Sequence, residues 1–511
     1  MHQPTFESTA RAALTLLVAG LVVTAGLPGV AAGVAASADS ATPIQDCRTI
    51  DEAGEYVLAG NLTVSDDCLS VTADGVTIDG AGYGIVGNGS GTAISAAGVN
   101  GVTVSNVTVT NWATGVSLRD VTDARIAETV VDTASLAVAV DDGTRDVTLT
   151  DSEIRNGSLG VRVHDDVSDV AIADTEFTAL TGVTVDLRGA EGRVVNSTFD
   201  ATGGAAVRVT GDEVLFANNS VQDTVGGIVV ADAAAVTVRA NTFDDVQGSS
   251  IHVGGIGDVE VPRNRPAPNF RGGGVVLQPM LPSGMAELSY GGLSDAVDDT
   301  GTTTRRYVDV TLLSPTPPEP VRIVDNVVRD SRGNGIVAVN TTAVIVAENR
   351  VIRSRDGVRI VGGSDAELTN NTAVSNRDDG ITIAASVDAT LVNNTVVKNT
   401  DDGVYVTGDG AVVMGTLARN NSDDGVDVHN GTLASIRDNR LLKNGDDGLY
   451  LRFVLNGTVE LNSVHGNADD GVDLRAVTGT GVSNNSICWN DHHEFVARNG
   501  TSNTTVANNT C

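Results

Sequence analysis

Seven glycines, Gly335, Gly357, Gly380, Gly403, Gly425, Gly448 and Gly471, stand 22 or 23 residues apart, a fixed period that marks a repeat architecture. Most close an Asp-Gly or Asp-Asp-Gly turn followed by alternating apolar residues, as in Asp401-Asp402-Gly403-Val404-Tyr405-Val406. A second column keeps the same step: Asn326, Asn349, Asn371, Asn394, then Leu417, Asn439, Asn462 and Asn485. The first half repeats the phrase more loosely at Asn106, Glu128, Asp151, Asp174, Asn196 and Asn218, with Asn241 close to register.

A coil of short parallel strands accounts for both columns. Equivalent residues of successive coils stack about 4.8 Å apart, so apolar columns fill the interior. Gly is expected to supply the positive φ of a tight corner. The Asn column is expected to form an amide ladder, each bond worth about 1 kcal/mol net but costlier to leave unmade when buried. The expected fold is therefore all-β: a right-handed parallel β-helix of about 16 coils with one inserted loop or hairpin, a rod on the order of 80 Å long. Leucine-rich repeats need L-x-x-L-x-L, calcium rolls a nine-residue period and left-handed helices a six-residue one, and none of these spacings occurs. Aromatics make up only 3% of the chain, so Val and Ile must fill such a core.

Organisation follows from the breaks in the period. Residues 1–38 read as an export segment: Arg11, an uncharged apolar stretch to Ala36, and a small-residue site before Asp39, either cleaved there or kept as a membrane anchor. No second hydrophobic span follows, so no transmembrane segment is expected after cleavage, and the protein is expected to be secreted or held at the cell surface. Residues 39–74 are expected as an N-terminal cap, 75–258 and 321–487 as two halves of the β-helix, and 488–511 as a C-terminal cap. Residues 259–320 are an insertion with nine of the twelve prolines and a cluster of Arg263, Arg265, Arg271, Arg305 and Arg306. Strands are expected in it at 274–278 and 307–313. It is either a loop neutralised by nearby carboxylates or a binding arm. The four cysteines fall in end pairs, Cys47 with Cys68 and Cys488 with Cys511, expected as two disulfides closing the ends of the rod. C-x-x-C metal spacing is absent.

The formal net charge of −33 argues against nucleic acid as a partner, because such a chain repels phosphate. Lys occurs only at Lys398 and Lys443, and an acidic, lysine-poor chain resembles proteins of salt-loving archaea, in which molar salt screens carboxylate repulsion to about 3 Å. The sixteen Asn-x-Ser/Thr sequons, Asn61, Asn88, Asn156, Asn430, Asn456, Asn499 and Asn503 among them, suggest a glycoprotein where turn structure does not explain them.

The opening Cys47-Arg-Thr-Ile-Asp-Glu-Ala-Gly-Glu-Tyr-Val-Leu, Cys68 and Val76-Thr-Ile-Asp-Gly-Ala-Gly resemble the start of archaeal right-handed β-helix proteins. The Asn-x-x-Val…Asp-Gly-Val/Ile coils look like those of the carbohydrate-associated and NosD-type family. The resemblance implies the fold and, among its members, pectin and alginate lyases, epimerases, glycosidases, surface proteins and copper-associated proteins. No catalytic motif of those enzymes matches here residue by residue.

Candidate sites follow from the columns. Asp401, Asp402, Asp423, Asp424, Asp446 and Asp447, with Asp378-Asp379 and Asp469-Asp470, form a double acidic column; it either suits the turns before Gly or holds Ca²⁺, which takes six to eight oxygens. Beyond each Gly, alternation points Arg359, Thr382, Tyr405, Asp427, Tyr450 and Asp473 outward as an exposed stripe. Asp427 and Asp473, about 10 Å apart at the backbone, are the candidate catalytic carboxylates. Tyr405, Tyr450 and Arg359 are the candidate substrate-binding residues, the tyrosines flanking a sugar ring. Asp491-His492-His493-Glu494 is the one dense run of metal-ligand types, though adjacent strand residues point oppositely. The expected ligand is a polysaccharide or cell-surface glycan, bound with or without processing by a lyase, epimerase or hydrolase reaction. The alternatives are a structural surface glycoprotein and a NosD-like accessory protein for copper-site maturation.

Overall fold

The computed structural model describes residues 41–254 and 320–511, apart from residues 190 and 499. Expectations for residues 1–38, for the five insertion arginines and its two strands, and for Asn499 lie outside the described residues. Among the described residues there is no helix, and so none long and apolar enough to cross a membrane.

The chain from Thr42 onward winds as a parallel β-solenoid. Each coil contributes three short strands to three lanes. In one coil these are Thr395–Val397, Val404–Thr407 and Val412–Met414, paired in parallel with Leu417–Arg419, Val426–His429 and Ser435–Arg437 of the next. Among the described residues the first lane holds 17 strands, in keeping with the expected number of about 16 coils. Alternation buries one residue in two: Val396, Val404, Val406 and Val413 have no exposed surface. Phe177, Phe199, Phe216 and Phe243 stack along the interior of the first half, the first two with ring centroids 4.9 Å apart.

Both ends are built from coils of the solenoid. Thr42–Ile44 pairs with Gly54–Leu58, and Arg48–Ile50 with Leu69–Val71; Phe495–Arg498 and Thr505–Ala507 extend the second and third lanes. The Cys47–Cys68 disulfide is formed. Cys488 and Cys511, expected as a second disulfide, are free thiols. Cys488 is buried and contacts the Thr510 carbonyl, and burial together with the adjacent Cys511 thiol pushes its pKa up to about 11. The two sulfurs are neighbours in the last turn and are not joined.

The Asn column forms its ladder where expected in the second half, except that Thr416 replaces Leu417, and stands one residue later than expected in the first half. The buried rungs of the first ladder are Thr129, Ser152, Thr175, Ser197, Asn219, Asn241, Asn326, Asn349, Asn371, Asn394, Thr416, Asn439, Asn462 and Asn485. Each Asn side chain accepts from the backbone N–H of the rung before it, as Asn371 Oδ1 does from Asn349 at 3.1 Å. In the first half, Asn106, Glu128, Asp151, Asp174, Asn196 and Asn218 stand one residue earlier, at left-handed corners with φ of 48–57°, and Thr416 is the rung where Leu417 was expected. Many sequon asparagines, Asn370, Asn393 and Asn484 among them, occupy such corners, so turn geometry accounts for their recurrence.

A second buried ladder, Asn376, Asn399, Asn421, Asn444 and Asn467, ends on Asn490, with amide-to-amide bonds of 2.9–3.1 Å. It explains the glycines. None of the seven has the positive φ expected of it. A Cβ on Gly403 would lie 2.6 Å from Asn421 Nδ2 and 2.5 Å from the Gly425 carbonyl. Glycine is required here for space.

Candidate functional site

The Asp-Asp-Gly corner lies between the first and second lanes, just after the second ladder. The inner acids Asp379, Asp402, Asp424, Asp447 and Asp470 are buried, and each accepts a backbone N–H from the next coil. Asp402 Oδ1 accepts from Asp424 at 2.9 Å, and Asp424 Oδ1 from Asp447 at 2.7 Å. One backbone bond does not replace the water a carboxylate loses. Burial therefore pushes Asp379 and Asp447 up to about 7 and Asp402 to about 9, where Asp427 and Asp379 add repulsion; Asp424 is also raised well above the ordinary value. The outer acids Asp401 and Asp446 are raised as well, by burial and then by Asp423. Asp401, Asp402 and Asp423 bring carboxylate oxygens within 4.8 Å of one another, as do Asp423, Asp424 and Asp446. Three carboxylates from two coils are a donor set suited to a hard cation.

The stripe beyond the glycines is in register as expected: Arg359, Thr382, Tyr405, Asp427, Tyr450 and Asp473 occupy one column of the second lane. It is not an exposed stripe. Thr382, Asp427 and Asp473 are buried and the other three half-buried, because the acid corner flanks the column on one side and large side chains cover it on the other. Those side chains form the next outward column, Thr407, His429, Arg452, Arg475 and Arg498.

Three successive coils bring Tyr405, His429 and Tyr450 together. The imidazole stands edge-on between the two phenols, with centroids 5.7 and 5.4 Å away, and its Nε2 lies 3.0 Å from Asp427 Oδ1 in an ion-pair contact off the hydrogen-bond axis. Arg475 lies over the Tyr450 ring at 4.9 Å. Burial raises the Asp427 carboxyl, and His429 opposes that shift. Burial also raises the phenols of Tyr405 and Tyr450.

The remaining expected members are placed differently. Asp473 is fully buried beneath Arg475 at 2.8 Å and Arg498 at 3.4 Å. Arg359 is held by Asp356 at 3.2 Å, two strands from Tyr405. His492 and His493 continue the acid corner by one step: His493 Nδ1 meets Asp470 at 2.7 Å, and His492 meets Asp469. Trp112 is buried, and Trp489 stands exposed on another corner beside His465.

The family of the right-handed β-helix region matches residues 92–265, 318–422 and 379–511, more than half of the chain, which therefore belongs to it. No curated protein matches the chain in sequence. Among solved structures it is similar to an alginate lyase from Paenibacillus, at 18% identity and TM-score 0.36 over 41% of this chain and 86% of that one. It is similar also to the periplasmic alginate epimerase AlgG, at 10% identity and TM-score 0.33 over 83% of this chain and 79% of that one. A tailspike protein of E. coli bacteriophage HK620 matches at 11% identity and TM-score 0.35 over 91% and 71%. Likenesses this remote carry nothing about activity.

Proposed function

We propose that this is an exported β-helix that binds polysaccharide on the second-lane sheet around Tyr405, His429 and Tyr450. One observation carries the reading: rings from three successive strands meet at a half-buried patch with the Asp427 carboxylate beneath it. Aromatic rings take the C–H face of a sugar, and neighbouring charged groups take its hydroxyls. The scaffold is rigid, since every strand of the patch is paired on both sides.

Processing of the glycan is the further half of this reading. Asp427, close to the rings and to an imidazole, is the member of the expected pair suited to acid–base work. Asp473, capped by two arginines, serves to orient them. Ca²⁺ at Asp401, Asp402 and Asp423, or one coil on, would brace the acid corner beside the patch. The acid surplus with two lysines supports a salt-loving archaeal source and a secreted or surface-held chain. A NosD-like copper role has four methionines in the whole chain to draw on, and the structural-glycoprotein alternative leaves the ring cluster without a use.

The test is a screen of the full chain against uronate-containing and neutral polysaccharides in high salt with Ca²⁺. Binding lost in Tyr405→Ala and Tyr450→Ala supports the reading, and turnover lost in Asp427→Asn extends it to an enzyme. A chain that binds no glycan is a structural protein, and the proposal falls.

A further inference from the structure

The column that covers the ring patch is basic throughout its last four strands. His429, Arg452, Arg475 and Arg498 are in strict parallel register, so their Cα atoms span about 14 Å along the solenoid. No acid interrupts them. The carboxylates that answer His429, Arg475 and Arg498, namely Asp427, Asp470 and Asp473, belong to other columns and are buried, while the arginine side chains above them stay 39% and 37% exposed. On a chain of net charge −33 this is a locally balanced strip in which Arg452 is the one cation of the column without an acid beside it. Arg452 differs from the others: it is exposed, packs on the Phe453 ring at 5.0 Å, and alone of the four has no ion-pair partner among the described residues. Its neighbours Arg475 and Arg498 are fixed by Asp473 beneath them, which leaves only part of each fork for a ligand.

Resting on the polysaccharide reading of the ring patch, we infer that the glycan bound there is polyanionic, its carboxylate or sulfate groups taken by the lane from His429 to Arg498 with Arg452 as the principal free donor. A guanidinium offers two parallel N–H groups to either oxyanion. The lane repeats each coil, as a polymer repeats its charge. An isolated anion would need only one of the four positions. The buried acids hold Arg475 and Arg498 in place and limit their net charge, which favours a ligand that meets several positions of the lane over an anion held by charge alone.

The experiment compares polygalacturonate, dextran sulfate and neutral dextran with the full chain, at the lowest salt that keeps it folded. The expected result is binding of one or both polyanions, at least about tenfold tighter than dextran and weakening as salt rises. Preference for polygalacturonate identifies the carboxylate, and preference for dextran sulfate the sulfate ester. Arg452→Gln should lose about tenfold in affinity. Arg437→Gln, an exposed arginine on the third lane, should lose nothing. Equal affinity for dextran, or an unaffected Arg452→Gln, overturns the lane while the sugar-binding reading stands. No binding of any glycan here or in the wider screen removes both.

Discussion

Asn241 and Asn326 are 85 residues apart in sequence and adjacent in the first ladder, with Asn241 Nδ2 donating to Asn326 Oδ1 at 3.0 Å. The strands on both sides of the intervening segment pair as neighbouring coils in all three lanes: Thr242 with Val327, Ile251 with Ile336, and Thr237 with Arg322. Gly254 and Pro320 line one surface cavity of about 460 Å³. The solenoid is thus continuous without residues 255–319. Replacing them with a short Gly/Ser linker should leave the melting temperature within a few degrees of the full chain, since changes in loop length cost little. A cooperative collapse of stability in the deletion, followed by thermal circular dichroism, would show that the segment holds the two halves together.

The ladder itself should be the most sensitive polar element. Asn349 accepts from the Asn326 backbone at 3.0 Å and from its side chain at 2.9 Å, and donates to the Ile323 carbonyl at 2.7 Å. Asn349→Ala strips all of these inside the core and should cost about 2–4 kcal/mol in denaturant unfolding. Asn349→Thr should cost less, because Thr416 already stands as a rung and still donates its N–H to Asn439 at 2.9 Å. Equal losses in the two variants would mean that side-chain volume, and not the ladder, sets the cost.

In the first half the interior is held by rings instead. Phe199 lies between Phe177 and Phe216, with centroids at 4.9 and 6.0 Å, and is fully buried. Phe199→Ala should cost about 3–5 kcal/mol, and Phe199→Leu clearly less. Because a solenoid's coils contact only their neighbours, the loss should appear in hydrogen exchange of coils around residue 199 before those around residue 436. Uniform acceleration along the chain would contradict that locality.

The period, the parallel coil and the identity of the acid corner were legible in the sequence because each recurs every 22 or 23 residues. The ladder slipped by one residue in the first half because its rungs follow left-handed corners that also favour asparagine; in Asn370-Asn371 and Asn393-Asn394 the two roles are adjacent and look alike. The second ladder left a signal that went unread: an Asn four residues before Gly380, Gly403, Gly425, Gly448 and Gly471. Its partner is the missing Cβ of each glycine, a steric fact that spacing alone does not distinguish from a positive φ. His429 was overlooked for another reason. Its role comes from Tyr405 and Tyr450 in neighbouring coils, and a single histidine in a variable column has no periodicity to mark it.

The acid corner predicts how stability changes with pH. Asp379 and Asp447, pushed up to about 7, and Asp402, up to about 9, hold protons in the folded chain that the unfolded chain would release near pH 4. Folded-state pKa values above the unfolded ones mean that the native state binds more protons across this window. Stability is then fully present at acid pH and falls as pH rises through about 7 to about 9. The melting temperature should drop between about pH 5 and about pH 9, by several degrees in dilute buffer and by less in molar salt, where repulsion among the acids is screened. Asp402→Asn should flatten the curve. An amide keeps the Oδ1 that accepts from Asp424 at 2.9 Å, cannot ionise, and adds a donor toward the neighbouring carboxyl. If Asp402→Asn instead melts lower than the parent at about pH 9, the corner depends on the charge of its carboxylates, as a bound cation would require, and adding Ca²⁺ should then raise the parent's melting temperature but not the variant's.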